Sequence, residues 1–367
     1  NQLTGTNAFT VAGGTLDLGA FNQATGTVTY ASGNLTGTTG VLSATALNVT
    51  ASSAVSLDAL IGGAGTLSLN GVGGTLTIAR ANTTFTGTTT LTNGTLAFGV
   101  DDALPGAITV NGGTLALGTF SKTGGAITFA GGTITQTSGT FSPTSLTATN
   151  TSGTLNLDVT LSGAGSLTMN GAGGTLSVNG TNTGFAGTTT VTAGTLKGST
   201  ADAFGTSAIT VNGGTFDLNA LTLANNVTLN TGGTLSGGTF AVSQLTATGG
   251  TVSASLTGAG ALTKTGAGTL TLSAANDFTG GTTINSGTLT FANAVDHLAD
   301  AGAITINTGG TLALGALSET VGAVTLAGGT LSGTTGVLTA ASYDLQSGTA
   351  SAILAGAATA TKSTSGS

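Results

Sequence analysis

The chain has 367 residues, 65 glycines and no cysteine, and only 5% of its residues are charged. The net charge of −7 and the presence of only five Lys and Arg residues argue against nucleic-acid binding, which needs clustered basic side chains. The lack of cysteine excludes disulfides and thiolate metal sites. No run of 18 apolar residues occurs, so we expect no membrane insertion by this segment.

A short unit with the sequence Gly-Thr-Leu, or a close variant, recurs along most of the chain about every 19 to 20 residues. A fixed period of this kind predicts stacked supersecondary units. The units begin at Gly74, Gly94, Gly113, Gly132, Gly174, Gly194, Gly214, Gly233, Gly268, Gly287, Gly310 and Gly329.

Around each unit, apolar and hydroxyl residues alternate, as in 75–78 and 269–272. Alternation with period two predicts a β-strand with one buried face, which Thr and aliphatic residues suit. A sandwich of hairpins is an alternative, since short turn signals would also fit one. The near-constant spacing of one strand favours a parallel β-helix, a β-solenoid with about three short strands per turn and about 18 turns.

A longer period of about 100 residues divides the chain into repeat units. Taken in chain order, the sequence predicts one continuous β-solenoid over residues 1–354. The repeat units are a half unit at 1–59 and full units at 60–160, 161–255 and 256–354. Residues 355–367 lose the alternation, which predicts a tail or linker.

Each full unit carries an Asn closely followed by a Phe. We expect each Phe to pack inside one turn. We expect each Asn to satisfy backbone groups at a bend, because buried polar groups need partners. The pairs are Asn82 with Phe85, Asn182 with Phe185, and Asn276 with Phe278.

The segment 262–272, followed by 276–289, resembles the autotransporter-associated β-strand repeat. That repeat occurs in passenger domains of bacterial autotransporters and in other large secreted surface proteins. The other units depart from it, since Leu69 and Met169 stand where the third unit has Lys264. The resemblance implies a right-handed β-helix, secretion and a bacterial cell-surface or extracellular setting. It supplies no catalytic residues.

The single histidine, His297, lies between Asp296 and Asp300 in sequence. A general base or a metal ligand is one interpretation. The other units have no His there, and a catalytic His needs an orienting partner and a nucleophile. We therefore predict a solvated loop.

The remaining carboxylates also favour structural roles. Asp102, Asp202 and Asp296 recur at the same place in the units and predict turns in which Asp bonds the backbone two residues on. A calcium site is a weaker alternative, since it needs six to eight oxygen ligands. Asp17 and Asp217 occupy equivalent strand positions and are predicted to face outward.

Enzymatic activity is disfavoured. Glycoside hydrolysis needs two neighbouring carboxylates, and lyase chemistry needs a base assisted by a cation. The chain has one Arg (Arg80), one Glu (Glu319), no Trp and two tyrosines (Tyr30 and Tyr343). The sequence predicts no catalytic residue, no cofactor and no metal ligand, with a polysaccharide-active β-helix enzyme as a minor alternative.

The function we expect is structural and adhesive, because a solenoid gains length without a larger core. The predicted partners are a host or abiotic surface, neighbouring cells, or further copies of the chain. An alternative is end-to-end stacking into a filament, sheath or surface layer. The pattern also predicts that Leu270→Asp destabilises strongly and that His297→Ala has little effect.

Overall fold

The computed structural model describes residues 5–241, 243–293, 296–356 and 359–363. Over these residues the secondary structure is entirely β, without a helix. The chain divides into two compact bodies. The N-terminal body comprises Asn1–Gly187 with Ala203–Gly205, and the C-terminal body comprises Thr188–Asp202 with Thr206–Ser367.

The N-terminal body contains sixteen strands over its described residues. They are β1 (Phe9–Asp17), β2 (Gln23–Val49), β3 (Ala54–Ile61), β4 (Thr66–Leu69), β5 (Thr75–Ile78), β6 (Thr89–Leu91), β7 (Thr95–Phe98), β8 (Ile108–Val110), β9 (Thr114–Ala116), β10 (Lys122–Thr123), β11 (Ala126–Phe129), β12 (Thr133–Thr135), β13 (Phe141–Ser142), β14 (Ser145–Ala148), β15 (Thr154–Asp158) and β16 (Ser166–Val178).

The C-terminal body contains twenty strands in the part that the structure describes. They are β17 (Thr188–Gly198), β18 (Ala208–Val211), β19 (Gly214–Asp217), β20 (Thr222–Leu223), β21 (Val227–Leu229), β22 (Gly233–Ser236), β23 (Thr239–Ala241), β24 (Gln244–Ala247), β25 (Gly250–Val252), β26 (Ser255–Thr257), β27 (Ala261–Lys264), β28 (Thr269–Leu272), β29 (Thr282–Ile284), β30 (Gly287–Phe291), β31 (Ile304–Asn307), β32 (Gly310–Gly315), β33 (Glu319–Gly333), β34 (Val337–Ala350), β35 (Ile353–Ala355) and β36 (Thr359–Thr361).

In the N-terminal body, equivalent residues of successive coils lie directly over one another. Leu76 pairs with Leu96, Leu96 with Leu115, and Leu115 with Ile134, in parallel and without a register shift. These four side chains are fully buried. The predicted parallel β-solenoid, with one Gly-Thr-Leu unit per coil, is confirmed.

The C-terminal body repeats this arrangement. Leu270 pairs with Leu289, Leu289 with Leu312, and Leu312 with Leu331, again in parallel. All four have no exposed side-chain surface, so the predicted inward position of Leu270 is confirmed. The two bodies contain about 18 turns between them, the number that the short period predicts.

A third, shorter set of strands completes the coils. In the N-terminal body β10 pairs with β13, and in the C-terminal body β20 pairs with β23 and β23 with β26, all in parallel. In these coils the chain runs along three sets of strands, and the inward residues form stacked apolar columns that stabilise the fold without disulfides.

At Gly94 and Gly287, the turn before the strand requires the glycine of the repeated unit. Gly94 and Gly287 have φ of 77° and 70°, a left-handed backbone that disfavours residues with a Cβ. A Cβ on Gly94 would also collide with the carbonyl oxygens of Gly71 and Gly74 in the preceding coil. This position therefore accepts glycine alone without strain.

The C-terminal segment continues the ladder beyond residue 354. Within the predicted tail at 355–367, β36 pairs in parallel with β34, and Ser342 lies opposite Thr359. Part of β34 also pairs with β35. Residues 357–358 and 364–367 of the predicted tail lie outside the described residues.

Candidate functional site: a buried histidine–carboxylate corner

The bend that recurs in each full repeat unit is held by its Asn. Asn182 Oδ1 accepts a hydrogen bond from Leu161 N in the preceding coil (2.7 Å), and Asn182 Nδ2 donates to Ala203 O in the following coil (2.6 Å). Its neighbour Phe185 is buried. The predicted roles of Asn and Phe are confirmed, and the Asn links three consecutive coils.

Asn82 and Asn276 make the same links. Asn82 accepts from Ile61 N and donates to Ala103 O. Asn276 accepts from Leu256 N (2.7 Å) and donates to the carbonyl of His297 (2.9 Å). His297 therefore occupies the position that Ala103 and Ala203 occupy in the other units.

His297 is not in a solvated loop, and that prediction is wrong. Its side chain has no exposed surface. The ring stacks on Phe291, with centroids 4.6 Å apart and planes inclined by 17°. Its Nε2 lies 2.9 Å from Asn293 Oδ1 and its Nδ1 lies 2.8 Å from Glu319 Oε1.

Glu319 comes from the first residue of β33, in the next coil. Besides the His297 ring, its carboxyl oxygens accept hydrogen bonds from the backbone N–H groups of His297 (3.2 Å) and Leu298 (3.3 Å). The residue is only 3% exposed. We call the pair His297 and Glu319 the polar corner.

Burial changes the acidity of this corner. Desolvation is the largest influence on Glu319 and, with the nearby Asp296, raises its pKa to about 7, although the hydrogen bonds from His297 and Leu298 oppose the shift. Desolvation and the neighbouring Asp300 raise the pKa of Asp296 in the same direction. The corner can therefore hold a proton near neutral pH.

A cleft of about 520 Å³ opens beside the polar corner. It is lined by Asp296, Asp300 and the segment 316–320, with the acidic side chains of Asp296 and Asp300 exposed. Glu319 also lines the cleft, and its carboxyl oxygens are bonded to the His297 ring and to two backbone N–H groups. Over the described residues, no group of three or more His, Asp or Glu is arranged to hold a metal ion.

The loop that forms the cleft comes from an enlarged coil. Thr288 pairs with Thr311, 23 residues further on, whereas Thr269 pairs with Thr288 after 19. Three of the four extra residues lie between Phe291 and Ile304, in the loop that carries Asp296 and Asp300. Sequence reasoning did not single out this enlarged loop beside the buried pair.

The other repeated aspartates behave in two ways. Asp296 bonds the backbone of Leu298, two residues on, as predicted. Asp102 does not, because it accepts hydrogen bonds from the N–H (2.5 Å) and hydroxyl (2.6 Å) of Thr123 in the next coil.

Asp17 and Asp217 lie on the outer side of their strands, as predicted. Each accepts a hydrogen bond from the backbone N–H two residues on, at Gly19 and Asn219, both at 2.9 Å. These contacts shape the end of a strand and assemble no site.

Two buried lysines were missed by sequence reasoning. Lys264 is fully buried, and its ammonium donates to the carbonyls of Thr248, Thr265, Gly266 and Ser286, at 2.7 to 3.1 Å. Desolvation lowers its pKa. The alternation around Thr263 and the buried Leu69 and Met169 at equivalent positions were the signals that place Lys264 inward.

Comparison with known families supports the class of protein that these coils define. The passenger-associated-transport-repeat family model matches residues 73–98 and 262–291. The first segment contains β5 and β7, and the second contains β27 to β30, so each match covers stacked coils. Two segments of this chain thus match the passenger-associated repeat, which confirms the resemblance noted in the sequence.

The comparisons with curated proteins and with solved structures return no match. Over the part of the chain that the structure describes, there is no helix with the length and apolar character needed to cross a membrane.

Proposed function

We propose that the chain is an extracellular structural and adhesive β-solenoid segment, displayed at a bacterial cell surface in the manner of an autotransporter passenger. The observation that carries the proposal is the match of the passenger repeat to coils whose like residues are stacked in register. Each coil contacts mainly its neighbours, so such a chain gains length and surface by adding coils.

The surface chemistry supports an exposed extracellular role. Of the five Lys and Arg residues, Lys122 and Lys264 are buried. Trypsin-like proteases therefore find few accessible cleavage sites, and the absence of cysteine makes stability independent of a disulfide-forming environment.

Surface display and adhesion are tested on intact cells that naturally produce the protein. We expect antibodies against the chain to label unpermeabilised cells, and we expect deletion of the coding segment to reduce attachment to surfaces or to neighbouring cells. Labelling that appears only after permeabilisation would refute the proposed location. Unchanged attachment after deletion would refute the adhesive role.

A polysaccharide-active enzyme is a second candidate, favoured by the cleft beside Glu319 and its raised pKa. Activity screening on acidic polysaccharides tests it, with Glu319→Gln as the matched inactive variant. The candidate fails if wild-type protein and Glu319→Gln both leave these polymers intact. Filament formation by end-to-end stacking stays a prediction, which electron microscopy of the purified chain would test.

A further inference from the structure

One face of the C-terminal body carries a column of eight outward threonines, which ends at β34, where Asp344 is paired with Thr325. They lie at the centre of β17, β18, β21, β24, β27, β29, β31 and β33, and each is paired in register with the next. The column is Thr190, Thr210, Thr228, Thr246, Thr263, Thr283, Thr305 and Thr325.

Two further columns flank these threonines, and we call the three columns together the threonine face. One flanking column comprises Thr188, Ala208, Asn226, Gln244, Ala261, Gly281, Ala303 and Ala323. The other comprises Thr192, Asn212, Asn230, Thr248, Thr265, Asn285, Asn307 and Ala327. All of these residues are exposed or half-buried, and none is charged.

Hydrogen bonds between successive coils order the amide side of this face. Asn230 Nδ2 donates to Asn212 Oδ1 (2.7 Å), and Thr248 donates its hydroxyl to Asn230 Oδ1 (3.0 Å). Asn307 and Asn285 make an equivalent bond of 2.8 Å. Side chains that are already fixed lose little further conformational entropy when a partner covers them.

Charge distinguishes the threonine face from the neighbouring face of the same body. The second face carries Lys197 and Asp217 at outward strand positions, and the whole chain has a net charge of −7. Two copies have net charges of the same sign, and their charged side chains lie outside the threonine face. Where the threonine faces meet, no charge is desolvated and no like charges are opposed.

The dimensions of the face suit a protein interface. Eight strands about 4.8 Å apart, each presenting five residues that rise about 3.3 Å, cover roughly 600 Å². Two such faces in contact bury about 1,200 Å², which reaches the range of specific protein–protein interfaces. Uncharged flat sheets with small side chains and Asn ladders also pack closely face to face.

We propose that a second copy of this chain packs on the threonine face, sheet against sheet, around a two-fold axis. The inference rests on the proposed function, because lateral association through this face would join segments that are displayed at the cell surface. In a two-fold interface the same face is used by both copies, so one substitution acts twice.

Association is tested by sedimentation of the whole chain between low and high micromolar concentration. We expect a monomer–dimer equilibrium for the wild type and at least a tenfold weaker dimer for Thr263→Glu, which opposes like charges at the centre of the interface. Thr234→Glu is the matched control. Thr234 is a half-buried outward threonine of β22 on the second face, and its substitution leaves the dimer intact.

Because the chain lacks cysteine, a single spin label reports on the packing. Packed sheets lie about 10 Å apart, so labels at Thr263→Cys approach closely in the dimer, whereas labels at Thr234→Cys stay far apart. Matching circular dichroism spectra and thermal melting show that all variants are folded.

A chain that is monomeric at every concentration would overturn the inference, as would a dimer that is insensitive to Thr263→Glu. The second result would point to end-to-end association instead. The two tests are separable. If the chain is monomeric but antibodies still label unpermeabilised cells, only the dimer is refuted. If antibodies do not label unpermeabilised cells, the proposed function is refuted.

Discussion

The two bodies place different residues next to the bend that the Asn side chain holds. In the N-terminal body these are Ala103 and Lys122, whose ammonium donates to Gly124 O (2.5 Å). In the C-terminal body they are His297 and Glu319, which bond one another and the local backbone. Lys122 and Glu319 occupy equivalent positions in their coils. Each lies two residues after a turn that is closed by a backbone hydrogen bond between residues three apart.

The difference shows that the shape of the coil is set by the backbone hydrogen-bond ladder and not by which side chain occupies this position. Burial lowers the pKa of Lys122, while Asp102 opposes the shift, and burial raises the pKa of Glu319. Opposite charges thus occupy the same place in one fold. Leu223 stands at the equivalent position of the middle repeat unit and is also buried, so an apolar side chain suffices there.

The largest expected effect comes from Glu319→Leu. The substitution leaves the His297 ring and the N–H groups of His297 and Leu298 without their acceptor in a buried site. We expect a loss of about 3 kcal/mol or more in the free energy of unfolding, from the unpaired buried groups. Urea unfolding followed by circular dichroism measures it, and a loss below about 1 kcal/mol would contradict the role of the pair.

The double variant His297→Ala/Glu319→Leu sharpens the comparison, because it installs the residues that the middle repeat unit carries at these positions. We expect it to recover most of the stability lost in Glu319→Leu, since replacing a whole buried polar pair with apolar groups is often nearly neutral. The same unfolding assay decides. A double variant that is no more stable than Glu319→Leu would show that the two residues act independently.

His297→Ala alone is expected to cost about 2 kcal/mol or more, not to be silent as the sequence suggested. It removes the stacking on Phe291 and leaves the buried Glu319 without its ring partner. Thermal melting against Asn226→Ala, an exposed substitution in the same body, measures the difference. Equal melting temperatures would restore the solvated-loop prediction.

Stability should also depend on pH through this corner. The pKa of Glu319 is about 7 in the folded chain against an ordinary 4.5, so its stabilising contribution is complete below about pH 4.5 and is lost as pH rises through 7. The pKa of Asp296 shifts in the same direction, and Asp300 is the other titratable group beside it.

At about 1.4 kcal/mol per pKa unit, we expect the wild type to lose up to about 3 kcal/mol between pH 4.5 and 8, relative to the double variant. Urea unfolding of both proteins across this range isolates the difference. Stability of the wild type that rises with pH relative to the double variant would give the opposite sign and refute the raised pKa.

The smallest effect is expected at the other corner. Lys122→Leu removes a desolvated ammonium and two hydrogen bonds, one of them long at 3.5 Å, and installs the residue found at Leu223. These changes oppose one another, so we expect a change within about 1 kcal/mol. A large fall in melting temperature would contradict this expectation and show that the hydrogen bonds of Lys122 are needed for stability.

The ladder itself was predictable from the sequence, because the strand period and the spacing of Gly-Thr-Leu depend on local chemistry and repetition. The inward position of Lys264 and His297 was not predicted, although both follow from alignment of the repeat units: Met169 and Ala203 are buried at the equivalent places. The prediction placed these residues outward because they are polar, whereas in a solenoid the position within the repeat unit decides whether a side chain points inward.

The partner of His297 was beyond sequence reasoning. Glu319 lies 22 residues away, in the coil after an enlarged loop, and its approach depends on how that loop packs. The predicted turn at Asp102 was wrong for the same reason, because its carboxylate accepts a hydrogen bond from the N–H of Thr123 in the next coil.

The most direct test of the account is the register of neighbouring coils. Thr271 and Thr290 are paired outward residues of β28 and β30, one coil apart. Spin labels at Thr271→Cys and Thr290→Cys should show strong dipolar broadening, since adjacent strands lie about 4.8 Å apart. Spectra without broadening in the folded double-labelled chain would contradict the stacking of like residues on which the whole account depends.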